Sequence, residues 1–337
     1  MKKIVGAVIA AGFLLASGAL HAVQIQMMLG DVKLERNKKA VPVKTAADMK
    51  PNDFLVTGNK SIIVLSFETG DVLKINENSR VLLTESVLKN GGVTIVRGSV
   101  EAKYEKISRD RASKIYTPTS VAAVRGTEFS VTVSESGESL VKMKEGTVNV
   151  ANPSGETNVS GTDGAEIKPG AKPGKSGVDK PEDWKADKDS EFRENPGSNA
   201  AGFQSQLDIM KERSSKGTMD ALKLQGEVQR ARKPNQIEAA GAKIDAAKQK
   251  AEDDLNINLA SGAHIDAVLG EYGKAKAELL GEYQRVRDKC NKVAEQQARN
   301  IEEINKVLEA YQKARAEILE THKKAVEDIK NKSKMEE

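Results

Sequence analysis

Paired carboxylates, one thiol and three imidazoles are the side chains of this sequence with types suited to reaction chemistry. Asp253-Asp254 and Glu302-Glu303 are adjacent acids of the kind that serve general acid–base work. Both pairs fall in stretches of helical period, where neighbouring acids more often face solvent than substrate. Cys290 is the single cysteine and has no second thiol for an internal disulfide. It reads as a buried thiol acting as a small hydrophobe, with an intermolecular bridge as the other option. His21, His264 and His322 stand far apart, with no partner at ligand spacing. No zinc site is expected, nor any cofactor or catalytic residue. The function of such a chain lies in its surfaces, and those depend on three regions that follow a leader.

Lys2 and Lys3 precede an apolar run of 16 residues, Ile4 to Ala19, and Ala22 is a small residue before the sequence turns polar. That is the plan of a secretory leader, and residues 1–22 are expected to be removed on export. The run is shorter than the ~20 residues that a membrane span needs. The expectation is a soluble, periplasmic or secreted chain without a stable transmembrane anchor. No cysteine follows the run, which excludes lipoprotein processing. Without Lys2 and Lys3 the chain carries 51 basic and 49 acidic residues, well interleaved. Near-neutrality gives no electrostatic footprint for nucleic acid.

Residues 23–167 read as an all-β domain, solenoid- or sandwich-like. Short β-branched runs at Ser61 to Phe67, Asp71 to Ile75, Val81 to Thr84, Val93 to Val96 and Val100 to Tyr104 are bounded by Gly70, Asn90-Gly91-Gly92 and Gly98. Further runs follow at Phe129 to Val133, Leu140 to Met143 and Thr147 to Val150. Residues 168–199 hold four of the nine prolines, several glycines and many charges, and read as a partly extended linker. The only tryptophan, Trp184, lies there, either docked on a neighbouring domain or exposed.

Residues 200–337 read as helical. Asn235 with Glu238 resembles a capping box that opens a helix at Gln236, and Ser261-Gly262 marks a break with Ser261 as the next N-cap. Beyond it a heptad seam runs through Tyr272, Leu279, Tyr283, Val286, Cys290, Val293, Ile304, Leu308, Tyr311, Ile318, Ala325 and Ile329. A long-helix coiled coil is the expectation, with Tyr283 through Ile318 as its interface. A helix of that length does not stand on propensity alone. Its partner is an earlier helix folded back or a second copy of the chain.

The densest turn chemistry lies between Ile115 and Val150. Gly126, between Arg125 and Thr127, permits a tight turn or a close backbone approach. Arg125 can pair with a carboxylate across that turn or with an anionic ligand. Phe129 and Val131 alternate inward, and Gly146 closes the next turn. Taken in order, Gly30-Asp31-Val32, Asn52 to Gly58, Gly70 to Ser79, Val96 to Val100, Thr117-Pro118, Val124 to Phe129 and Glu145 to Val148 resemble the FecR family over Gly30 to Gly170. The resemblance implies an all-β, solenoid-like module that makes protein contacts across the envelope. In the family's regulators that module relays occupancy of an outer-membrane transporter to a sigma factor. The regulators place a cytoplasmic segment before a membrane span, whereas here the apolar run starts at Ile4. The expected function is a non-enzymatic envelope protein whose β module binds a protein or glycan and whose helices space or oligomerise it. The alternative is a FecR-type signalling regulator retained by its N-terminal hydrophobic segment.

Overall fold

A computed structural model of the chain describes residues 23–68, 70–84, 93–104, 113–124, 128–274 and 276–335. The expected leader and Arg125, Gly126 and Thr127 lie outside the described residues. Sixteen strands among the described residues form one open hydrogen-bonded network with two arms. The first arm runs β1 (Val23–Leu29), β5 (Ile62–Phe67), β6 (Val72–Ile75), β8 (Val93–Lys103), β11 (Glu128–Val133), β12 (Ser139–Glu145), β15 (Gly164–Ile167) and β16 (Gly174–Ser176). The second runs β3 (Lys39–Pro42), β2 (Val32–Arg36), β4 (Phe54–Thr57), β7 (Arg80–Leu82), β8 again, β9 (Ser113–Tyr116), β10 (Val121–Val124), β13 (Thr147–Asn152) and β14 (Gly155–Ser160). All pairings are antiparallel except β8 with β9. From β4 onward the chain alternates between the arms, mostly a hairpin at a time, which is the solenoid-like feature of a sandwich.

β8 joins the arms. The VTIV run and all of the VEAKY run but Tyr104, separate in the sequence pattern, are one 11-residue strand that passes through Gly98. Its first half pairs with β7 and β9, and its second half with β6 and β11. Gly98 adopts φ +101°, and a Cβ there would lie 2.4 Å from Ser79 Cα. Ser79 Oγ accepts from the Ser99 amide at 3.0 Å, so the bend is stitched to the turn before β7. Inward residues of both arms, among them Leu34, Leu55, Ile63, Leu73, Ile95, Val100, Phe129, Val131, Val148 and Ile167, form one buried cluster. Fully burying side chains of that kind contributes about 1.5–3 kcal/mol each.

Four helices follow: α1 (Pro181–Glu194), α2 (Ala200–Arg230), α3 (Pro234–Tyr272) and α4 (Ala277–Met335). α1 and β16 occupy most of the segment expected to be an extended linker. Pro181 takes the first helical position, Glu182 and Asp183 the first turn and Arg193 the last, which suits the helix dipole. Trp184 and Phe192, eight residues apart on one face, are both buried, which decides for the docked tryptophan. α3 opens at Pro234 with Lys233 as N-cap and no side-chain cap bond, in place of a box at Asn235. It also runs unbroken through Ser261-Gly262, because Ser261 is buried and bonded rather than free to cap. The chain turns instead between Tyr272 and Ala277, which removes Tyr272 from the α4 seam.

α2, α3 and α4 pack as a three-helix bundle. At 1.5 Å per residue, the 59 residues of α4 span about 90 Å. Tyr283, Val286, Cys290 and Val293 pack near the β unit, and Ile304, Leu308, Tyr311 and Ile318 pack at the far end with Ile237, Ala240 and Ile244 of α3. From Tyr283 to Ile318 the seam packs within the chain, whereas Ala325 and Ile329 are exposed. Residues 320–331 of α4 continue exposed beyond the bundle. Among the described residues no helix is long and apolar enough to cross a membrane.

Gly98→Val is expected to destabilise the protein by roughly 2–4 kcal/mol, through left-handed strain and the clash with Ser79. Equilibrium urea unfolding checks this, and a loss under about 1 kcal/mol would mean that β8 bends without needing a glycine.

Candidate functional site

The turn between β11 and β12 reads Ser134-Glu135-Ser136-Gly137-Glu138, a polar tip that sequence pattern would leave in water. It is buried: all four of its polar residues are under a tenth exposed. Three helices cover it. The Glu135 amide donates to Asp189 Oδ1 of α1 at 2.7 Å. Arg193 grips the Glu135 carboxylate through Nε at 3.0 Å and Nη2 at 2.6 Å, and Tyr272 Oη donates to it at 2.8 Å. Burial alone raises the Glu135 carboxyl, but Arg193 and Tyr272 outweigh it and hold the pKa below the ordinary value. Gly137 has φ +81°, and a Cβ there would meet Phe203 Cζ at 2.7 Å and His264 Nε2 at 2.8 Å.

The neighbouring turn, Thr117 to Ser120, is seated in the same way. Pro118 O accepts from Gln206 Nε2 of α2 at 2.8 Å and from Ser261 Oγ of α3 at 2.7 Å. Asp253 of α3 takes Lys114 Nζ at 2.8 Å and Tyr116 Oη at 2.8 Å, and Glu271 takes Arg97 at 2.8 Å. Asp253-Asp254 is thus a structural pair, its second member facing Arg213 at 3.0 Å. Glu302 and Glu303 both pair with Lys306 on α4.

These contacts hold α1 against the outer face of the first arm, with a groove of about 1150 Å³ between them. The strand side presents Asn76, Ser99, Glu101, Ser130, Lys142 and Lys144; the helix side presents Glu182, Lys185, Asp189 and Arg193. Lys74 and Lys144 flank Glu101 at 2.8 and 3.3 Å, and Lys144 reaches Glu128 at 3.1 Å. Burial raises Glu101, and the Lys74, Asn76 and Lys144 donors more than offset it, so its pKa lies below the ordinary value. Ser99 and Thr132 share a hydroxyl hydrogen bond at 3.1 Å. The result is a floor of alternating charges and hydroxyls, suited to hydrogen bonding and ion pairing. No cluster of metal-ligating side chains occurs among the described residues.

Of the side chains singled out in the sequence, Phe129 lies in the sandwich core with its ring 6.0 Å from Tyr104. Gly146 takes φ +94° between β12 and β13. Neither reaches the groove. Cys290 is buried beside Val286 and Val293, and burial pushes its thiol up to about 12. Sequence reasoning did not find the groove residues, since isolated Ser, Lys and Glu on strands carry no spacing signal. It also missed Glu135, which a buried-turn hypothesis alone would have flagged.

The family comparison bears on the β unit. Residues 53–149 match the FecR protein family. That span opens at Asp53, which is buried and bound by Arg36 of β2 at 2.6 Å, and closes in β13. It takes in β4 to β12, the start of β13 and both turns that the helices grip, and is narrower than the Gly30 to Gly170 of the sequence resemblance. Two crystal structures described as a candidate anti-sigma factor from Parabacteroides distasonis are also similar, at 13% and 15% identity and TM-scores of 0.32 and 0.30. Each match covers 36% of this chain and 58% of the other. Scores that low establish no common fold. No curated protein matches the chain.

His264, buried between Phe203 and the FecR domain, gives a test of the docking. Burial, then the charge of Arg97, depresses its pKa from 6.5 to about 3. Below pH 6.5 the unfolded chain binds a proton that the folded chain refuses, so this residue's contribution falls as pH drops toward 3. Asp254 works the other way, since burial raises it to about 6 and the folded state takes up its proton first. The readout is therefore the difference between wild type and His264→Leu. The stability advantage of wild type is expected to shrink by about 1 kcal/mol per pH unit between pH 6 and 5 in urea unfolding. A difference independent of pH would mean that the imidazole is not buried against the FecR domain.

Proposed function

We propose that this chain is a non-enzymatic binding protein of the cell envelope, whose FecR domain and α1 together take an extended peptide segment of a protein partner. The observation that carries the reading is the composition of the groove. Its floor offers both signs of charge and several hydroxyls, which suits a peptide of mixed charge presenting backbone amides and carbonyls. No aromatic ring is among the lining residues, so a sugar ring has no stacking platform there. The helical bundle supports one wall of the groove. The envelope location rests on the leader-like N-terminus and on the family matched by residues 53–149.

The test is binding of the full-length protein to an immobilised peptide library and, in parallel, to purified envelope polysaccharide. Peptides are expected to be retained, and Ser130→Arg or Lys144→Glu is expected to weaken retention about tenfold with an unchanged circular dichroism spectrum. Retention of polysaccharide without peptides would overturn the reading.

The family match also favours a second reading, a FecR-type signalling regulator held in the membrane by its N-terminal hydrophobic segment. Mass spectrometry of the protein's own N-terminus separates the two. An intact Met1 in the membrane fraction supports the regulator, and a soluble chain beginning near Val23 removes it.

A further inference from the structure

A second cavity, of about 240 Å³, lies between α2, α3 and α4, away from the groove. Several polar side chains reach its wall, and some of their buried donors lack acceptors. Ser214 and Gln297 are 4% and 2% exposed, yet Ser214 Oγ and Gln297 Nε2 have no hydrogen-bond partner among the described residues. The orientation of the Gln297 amide is not free. Asn258 Nδ2 donates to Cys290 O at 3.1 Å, which fixes the Asn258 amide, and donates to Gln297 Oε1 at 2.9 Å. The Gln297 nitrogen is thereby left as a donor. Arg213 Nε is 3.0 Å from Asp254 Oδ2 but is not aligned for a hydrogen bond, so it is a further unsatisfied donor.

Charge points the same way. Exposed Lys216 and Lys250 stand at the rim and are not ion-paired among the described residues, while Asp220 is taken by Lys223 at 3.0 Å. Arg213 and Lys250 face Asp254, whose carboxyl burial raises to about 6, and Lys216 and Lys250 also lie near Asp220. A neighbouring cavity of about 700 Å³, beside the β13–β14 turn, shares Arg213, Lys250 and Asp254 with the first and provides an approach. Leaving several buried donors unmatched is costly, and an acceptor-rich ligand removes that cost.

We propose that the bundle cavity is a binding site for a small oxyanion, a phosphate or a carboxylate, held by Ser214, Gln297 and Arg213 and attracted by Lys216 and Lys250. The experiment is isothermal titration of the full-length protein with inorganic phosphate and, separately, with succinate, at matched ionic strength. Saturable binding of one equivalent is expected in at least one arm, and the arm that binds identifies the oxyanion class. Ser214→Ala and Lys250→Ala are each expected to weaken it about tenfold, consistent with losing one charge-assisted hydrogen bond or one cation. Both changes are small or exposed, and an unchanged melting temperature without ligand shows that the bundle persists. No saturable binding in either arm would overturn the proposal, leaving the donors to water. Binding unaffected by both substitutions would also overturn it.

Discussion

The structure depends on burying one polar turn. Glu135 sits at the tip of the β11–β12 hairpin, where its carboxylate and amide together engage α1 and α3. A carboxylate taken out of water costs several kcal/mol unless charge and hydrogen bonds replace its hydration. Here Arg193 supplies a bidentate grip and Tyr272 a third donor, so the turn is stable only with both helices in place. Removing one partner leaves a buried charge uncompensated, which makes the contact selective for a single arrangement. Gly137 extends the same constraint to α2 and α3, because only a residue without Cβ lets Phe203 and His264 close over the tip.

That constraint carries through to the groove. The outer face of the first arm would be an ordinary solvated sheet face if α1 did not lie along it. α1 is placed by Asp189 and Arg193, its two residues that hold Glu135, and both also line the groove. One end of the FecR domain therefore sets the geometry of a site on its side. The opposite wall is equally determined, since Gly98 bends β8 so that Ser99 and Glu101 project on the first arm while Val93 to Arg97 belong to the second.

Much of the β unit was legible because its strands are β-branched runs between glycines, and the ordered motifs gave the family. Asn52-Asp53, for instance, is a motif because Asp53 is a buried carboxylate bound by Arg36. The helical region was legible in class and wrong in its joints. Ser261-Gly262 looks like a break because serine caps helices and glycine weakens them. In the fold, Ser261 instead bonds Pro118, and Gly262 packs beside Cys290 and Arg287. α1 was hidden by composition: proline and charge suggest a linker, and only the spacing of Trp184 and Phe192 signals a buried helical face. Contacts between regions, such as Lys114 with Asp253, join residues 139 apart in sequence and have no local pattern to read.

The helices leave unmatched polar groups of both kinds: Glu138 Oε2, His264 Nε2 and Asn258 Oδ1 bear lone pairs, and Trp184 Nε1 and Tyr283 Oη can donate. Among residues lining the bundle cavity, the unpartnered atoms are the guanidinium, hydroxyl and amide nitrogen of Arg213, Ser214 and Gln297, each able to donate. Those three donors meet at one cavity, with Lys216 and Lys250 at its rim beside Asp220 and Asp254, and they are what the proposed oxyanion would engage. The bundle can then serve the chain twice, as the support that fixes α1 against the FecR domain and as a site whose occupancy would stiffen that support.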